Sequence, residues 1–145
     1  MKFYLSAKYS YREALLPIAE TLKSIGHEVQ ARWLYRDEPE ASSVEQKRKA
    51  AHEDLCDIEA CHKFVMFNFP IGQPEPSSGR HVEFGCALML RKPCILVGPN
   101  ESVFATLAGM QFATVEDFLH SYTNLYSINV GRRPKRLTAR QKGTR

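Results

Sequence analysis

The run Lys63 to Phe69 (KFVMFNF) is apolar at nearly every position and lies between two segments of helical pattern. A strand that is apolar on both faces belongs in the middle of a sheet covered on both sides. The rest of the chain repeats the alternation. Lys2 to Ser6 (KFYLS) reads as a first strand. Leu15, Ile18, Ala19, Leu22 and Ile25 recur at helical spacing, with Ser10 a candidate N-cap and Gly26 a stop. Pro17 is tolerable there if the helix restarts near it. His27 to Leu34 (HEVQARWL) predicts a second strand, Tyr35 to Ser43 a polar loop, and Val44 to Ala60 a long helix. Pro70 to Ser78 is loop by composition, and Val82 through Leu90 is the most apolar segment, read as a buried helix. Pro93 to Val97 predicts a fourth strand closed by Gly98-Pro99-Asn100, Gln111 to Thr114 a short fifth, and Val115 to Tyr122 a last helix. Strands alternating with helices imply right-handed crossovers and an α/β, doubly wound sheet of about five parallel strands with helices on both faces.

Such sheets bind ligands outside the carboxyl ends of their strands, where the strand order reverses. Here those ends gather three loops: Ser6 to Ser10, Trp33 to Asp37, and Asn68 to Gly79. The 145 residues fit one domain, residues 1–130, followed by a tail, residues 131–145, expected to be disordered. No apolar run approaches the ~20 residues that span a bilayer, and the first residues turn polar too soon for a signal peptide. The expectation is a cytoplasmic protein without membrane contact.

The formal charge of +4 misleads about partners. The tail alone carries Arg132, Arg133, Lys135, Arg136, Arg140, Lys142 and Arg145, with no acid. Setting those seven aside from twenty leaves 13 basic against 16 acidic residues, so the body is mildly acidic and does not read as a nucleic-acid binder. The tail could touch polyanions weakly or serve only as a solvated segment. Cys56, Cys61, Cys86 and Cys94 show no zinc-type spacing, and with His52 and His62 nearby they match no established ligand pattern, so no metal is expected.

The segment Ser77-Ser78-Gly79-Arg80-His81-Val82-Glu83-Phe84-Gly85 leads from the third loop into the apolar helix. Glu83 stands among apolar residues, where a charge is costly unless paired or used. Read as lying in the first helical turn, it is favoured by the dipole and is a candidate nucleophile; it is also what an ordinary helix-start carboxylate with its head in water looks like. A second carboxylate comes from the long helix. Taking Ala51, Leu55 and Ile58 as its buried stripe, Asp54 lies roughly 60° from the buried direction, Glu59 roughly 75° on the opposite flank, Asp57 roughly 120° and Glu53 roughly 160°; Glu59 sits in the last turn, next to the start of the third strand and far from the carboxyl ends. Asp54 is therefore the candidate to reach the cleft, and the others read as solvated charges. Tyr4 points from the first strand toward the same region or packs in the core. Trp33 is placed to stack on a planar ligand or to pack. His81 can offer its backbone N–H or simply complete a capping turn. Two carboxylates, a tyrosine and a serine-rich loop suit glycoside chemistry, in which one acid meets the anomeric carbon and the other manages the leaving group's proton.

On these residues the sequence resembles the nucleoside 2-deoxyribosyltransferase family. The carriers are Lys2-Phe3-Tyr4-Leu5-Ser6-Ala7, Asp54-Leu55-Cys56-Asp57-Ile58-Glu59-Ala60, Gly79-Arg80-His81-Val82-Glu83-Phe84-Gly85 and Lys92-Pro93-Cys94-Ile95-Leu96-Val97-Gly98-Pro99. The resemblance implies a flavodoxin-like sheet and a homo-oligomer with shared pockets. It implies no cofactor. Glu83 would be the nucleophile that forms a covalent deoxyribosyl intermediate, Asp54 the acid that exchanges protons with the base, and Tyr4 the residue that holds the nucleophile. Ser6, Ala7, Lys8, Arg12, Trp33, Ser77, Ser78, Gly79, Arg80 and His81 are the implied substrate contacts. One departure matters. Transferases of free nucleosides often carry an acid six residues before the nucleophile, whereas this chain has Ser77 there. Related hydrolases of nucleoside 5′-monophosphates seat the phosphate on serine and glycine at that place, and Lys8, Arg12 and Arg80 could add positive charge. Transfer of deoxyribose between bases is thus the first expectation, monophosphate hydrolysis the alternative, and a nucleotide-binding module without turnover a third.

Overall fold

The computed structural model describes residues 1–36, 43–68 and 79–130, with side chains as far as residue 123. Ser77, Ser78, most of the two polar loops and the basic tail lie outside the described residues. The strands are β1 (Lys2–Ser6), β2 (Glu28–Val29), β3 (Lys63–Phe67), β4 (Cys94–Val97) and β5 (Met110–Phe112). The helices are α1 (Arg12–Ser24), α2 (Val44–Ala60), α3 (Gly79–Met89) and α4 (Val115–Val130). All strand pairs are parallel, in the order β2-β1-β3-β4-β5. That is the flavodoxin-like order, with its switch point between β1 and β3. The apolar run does occupy the centre: Phe64, Val65, Met66 and Phe67 are all buried. No helix among the described residues is long and apolar enough to cross a membrane.

α1 packs with α4, and α2 packs with α3, one pair on each face of the sheet. Strand alternation then sorts β1. Phe3 meets His27 and, edge-on, Tyr122 of α4 at 5.1 Å, whereas Tyr4 and Ser6 point to the α3 face. α1 ends as expected: Gly26 takes a φ of 85°, and His27 N–H returns to the Leu22 carbonyl at 3.0 Å.

Several expectations are corrected. The second strand is only two residues long, because Arg32 turns its N–H to Asp57 instead of the ladder and residues Arg32–Tyr35 form a 3-10 turn. Ser10 does not cap α1; Tyr9–Tyr11 form a 3-10 turn that runs straight into it, and no side chain caps it. Pro17 sits inside a continuous α1 on its exposed side, so water can serve the carbonyl one turn earlier that the proline leaves without a helical donor. The stripe Ala51-Leu55-Ile58 fails. Ala51 is exposed and Leu55 is 46% exposed, while Asp57 and Ile58 are buried and Asp54 is half-buried. α2 buries a polar edge because Arg32 and Arg36 receive it. α3 begins at Gly79, so Glu83 lies beyond the first turn and the dipole contributes little to it. The last helix continues past Tyr122 to Val130, and the fourth and fifth strands start one residue away from their expected places.

Candidate active site

The site is assembled by three local rules. Period-two alternation puts Tyr4 and Ser6 on one face of β1. α3 crosses that face and brings Glu83 down onto them. Tyr4 Oη donates to Glu83 Oε1 at 2.9 Å, and Ser6 Oγ donates to Oε2. Both carboxylate oxygens are thereby fixed, and each keeps a lone pair for something else. Tyr4 and Ser6 are fully buried. Burial, reinforced by the Glu83 and Asp54 charges, holds the Tyr4 hydroxyl well above its ordinary pKa, so it stays a donor.

Glu83 is half-buried, with little water around its carboxyl group. Burial pushes its pKa from 4.5 to about 7, and the charge of Asp54 adds to the shift. The two hydroxyl donors pull the other way and lose to desolvation. Asp54 is pushed from 3.8 to about 6, again chiefly by burial, against the attraction of Arg36. Arg36 reaches Asp54 Oδ1 at 3.7 Å as an ion pair, too far for a hydrogen bond, and is bonded more closely to Glu53. Asp54 Oδ1 is buried and has no hydrogen-bond partner among the described residues. A buried oxygen left without a donor is costly unless a ligand or proton supplies one.

A clamp behind α2 keeps Asp54 in place. Asp57, at 5% exposure, accepts from Arg32 N–H at 3.0 Å and from Arg32 Nε at 2.9 Å. The sequence reading took Asp57 for a solvated charge, and a count of apolar residues could not have found its partner 25 residues earlier. Arg36 was likewise missed, although it lies in one of the loops assigned to the carboxyl ends.

The other candidates divide. Ala7 packs against the core and Lys8 is buried at 7% exposure, both just past β1. Arg12 Nε donates to the Leu34 carbonyl at 2.8 Å, which ties α1 to the turn after β2. Trp33 is buried, and its indole N–H donates to the Leu5 carbonyl at 2.9 Å, so the ring is part of the wall. Trp33→Phe leaves that buried carbonyl without its donor and is expected to lower stability by about 1–3 kcal/mol in urea unfolding. Gly79 opens α3 on the surface with open space where a Cβ would be. Arg80 is buried, with Nε donating to Asn68 Oδ1 at 3.0 Å and a terminal nitrogen bonded to Glu101. His81 Nε2 lies 3.9 Å from the same Glu101, and burial followed by the Arg80 charge lowers its pKa. Asn68 and Glu101 were not among the sequence candidates. The signal was the strand-end rule itself, which applies to β4 as well as to β1, β2 and β3.

No protein-family model matches the chain, and no curated protein matches it in sequence. Solved structures do. The 2-deoxyribosyltransferase of Bacillus psychrosaccharolyticus superposes over 82% of this chain and 90% of its own, with a TM-score of 0.66 and 22% identity. The CMP N-glycosidase of Clostridium botulinum does so over 85% and 99%, with a TM-score of 0.56 and 18% identity. A conserved protein of Enterococcus faecalis V583 matches over 86% and 98%, with a TM-score of 0.61 and 13% identity. Likeness at these identities is likeness of fold: the chain has the parallel α/β fold of the Bacillus 2-deoxyribosyltransferase and the Clostridium CMP N-glycosidase.

Proposed function

We propose that this chain is an N-glycosyl-transferring enzyme of the nucleoside 2-deoxyribosyltransferase family, moving 2-deoxyribose from one nucleobase to another. The observation that carries the reading is a carboxylate gripped through both oxygens by Tyr4 and Ser6, with Asp54, whose Oδ1 accepts no hydrogen bond among the described residues, close enough to perturb it. In the first step a Glu83 oxygen bonds to C1′ as the C1′–N bond breaks, and the bonding pair leaves with the base. Asp54 gives the departing base its proton. A second base then attacks C1′ from the vacated side, Asp54 takes its proton, and the ester to Glu83 breaks. Two inversions give net retention. Tyr4 and Ser6 hold the nucleophile in one orientation throughout and take up its charge as it leaves.

With Glu83 at about 7 and Asp54 at about 6, the coupled pair carries roughly one proton between pH 6 and 7. These values favour that proton on Glu83, so the reactive arrangement, with Glu83 ionised and Asp54 protonated, is the minor form of the one-proton state and turnover proceeds through it. The expected pH profile of kcat/KM is a narrow bell centred in that interval. Asp54→Asn removes the alkaline limb and slows release of poor leaving bases about 10²-fold, with a smaller change in binding; an unaltered profile takes Asp54 out of the proton transfer.

Incubation with a deoxynucleoside and a second free base tests the reaction. New nucleoside means transfer, and free sugar means hydrolysis. Mass analysis after a slow fluorinated sugar analogue tests the intermediate: base release with no adduct on Glu83 overturns the covalent step. Hydrolysis of a nucleoside 5′-monophosphate is the second reading, favoured by Ser77 standing where free-nucleoside transferases often carry an acid. A second copy of the chain is proposed to cover the α2–α3 face, where Leu55 (46%), Val82 (62%) and Met89 (85%) are exposed on helices that pack side by side.

A further inference from the structure

An ion pair at the carboxyl ends of β3 and β4 is left unused by the chemistry above. Arg80 has a side chain only 7% exposed, and it is bonded to Glu101, whose side chain is 32% exposed. Asn68, itself 1% exposed, orients the guanidinium through Oδ1 and is held in turn by its Nδ2 on the Pro99 carbonyl at 3.1 Å. Glu101 follows the turn after β4, so the pair spans two neighbouring strand ends. His81 adds no cation at neutral pH, since its pKa is lowered.

The position of this pair relative to Glu83 gives it meaning. Arg80 precedes Glu83 by three residues in α3, so the two share a helix face one turn apart. Asp54 lies toward the other edge, beside the Arg32 and Arg36 that follow β2. In strand order the acid stands toward β2, the nucleophile over β1, and Arg80–Glu101 at β3 and β4. On the proposed reading, a sugar with C1′ at Glu83 and its base at Asp54 directs its 5′ end toward Arg80 and Glu101.

A buried guanidinium near the start of a helix is by charge and geometry a seat for a phosphate. In this chain Glu101 occupies it. A phosphate dianion must either displace that carboxylate or lie against it, whereas a hydroxyl can donate to its free lone pairs. We infer that Glu101 determines specificity by holding Arg80, closing the anion seat beside the nucleophile and admitting a free 5′-hydroxyl. The substrate class is then the uncharged nucleoside, and its 5′-monophosphate is disfavoured. This deepens the proposed function and rests on it for the orientation of the sugar.

The test compares wild type, Glu101→Gln, and Glu101→Gln combined with Arg80→Gln, using two readouts. Calorimetric titration with inorganic phosphate needs no turnover. Glu101→Gln is expected to bind phosphate at least about tenfold more tightly than wild type, and the double variant to lose the gain. In parallel, kcat/KM for a 5′-monophosphate relative to its nucleoside should rise at least about tenfold in Glu101→Gln. Phosphate affinity in Glu101→Gln equal to or below wild type overturns the inference, as does a gain that survives loss of Arg80. Thermal melts establish that each variant is folded; if the double variant is not, Arg80→Lys in the Glu101→Gln background replaces it and should retain only part of the gain. Wild type that releases base from neither substrate strikes down the proposed function, while the phosphate titration still decides the role of Glu101.

Discussion

Glu83→Gln is expected to abolish base release while making the protein more stable at alkaline pH. The loss follows from the mechanism: an amide oxygen is a poor nucleophile for C1′, and removing a covalent nucleophile costs at least about 10³-fold in kcat. The gain follows from linkage. The carboxyl group has a folded pKa of about 7 against an ordinary 4.5, so the fold prefers its protonated form. Its contribution to stability is complete below pH 4.5 and is lost progressively as pH rises through 7. The upper bound on that loss is about 3 kcal/mol, and relaxation around the ion reduces it. Glutamine fits the same space without ionising. It can accept from Tyr4 through its oxygen and donate to Ser6 through its nitrogen. Urea unfolding of the two proteins should therefore coincide near pH 4.5 and diverge by about 1–3 kcal/mol in favour of the variant at pH 8.5. Equal stabilities across the range would mean that Glu83 ionises without strain and that the site is wet. Retained turnover would place the nucleophile elsewhere. Stability given up at a reactive carboxylate is what a functional site leads one to expect and a structural ion pair does not.

The parts of the molecule that were legible in the sequence are those where apolar periodicity controls the outcome. β1 was read to the residue from its alternation, and α2 has the ends expected of it, its start fixed by a capping box between Ser43 and Gln46 that the sequence reading did not use. The central position of β3 followed from its unbroken apolar run. What periodicity could not reveal is burial driven by ions. The true inner edge of α2 consists of Asp54, Asp57 and Ile58, and it is inward because Arg32 and Arg36 come to it from a segment that looked like the end of a strand. The same interaction cut β2 short. Asp54 was nominated from a stripe that proved wrong; the buried direction of α2, set by Asp57 and Ile58, lies closer to Asp54 than the assumed one did. Tyr4 and Ser6 both reach Glu83, yet only resemblance pointed to Tyr4 as its holder; alternation along β1 contained that information for Ser6 as well. Arg80 was read as a substrate contact that could add positive charge, and it is a buried group bonded to Asn68 and Glu101. A charge in a sequence does not declare its partner, and the partner decides what the charge can do.

Two glycine-to-alanine substitutions should have opposite signs, and the first should carry a large loss of stability. Gly98 ends β4 with a φ of 104°, a conformation alanine adopts only under strain. A Cβ there would also stand 1.9 Å from the Asn68 carbonyl oxygen and 2.8 Å from its carbon. Both are backbone atoms and cannot swing aside as a side chain could. Moving them means parting β3 from β4 where Asn68 N–H bonds the Val97 carbonyl at 2.8 Å, while Gly98 is itself tied to β5 by its N–H on the Phe112 carbonyl at 2.9 Å. Gly98→Ala should therefore cost more than about 4 kcal/mol, a large part of the stability of a domain this size, and lower Tm by at least about 10 °C. Activity should fall with it even in the folded fraction, because Asn68 orients Arg80 on the same face of α3 as Glu83. Gly85 is the control. It lies inside α3 with nothing within 4 Å of an added Cβ, so Gly85→Ala should raise stability by up to about 1 kcal/mol through helix propensity alone. Melting curves of the two variants decide the matter. A small loss at Gly98 would show that the strand ends can separate without penalty, and the close packing that fixes Asn68, Arg80 and Glu101 beside the nucleophile would lose its physical basis.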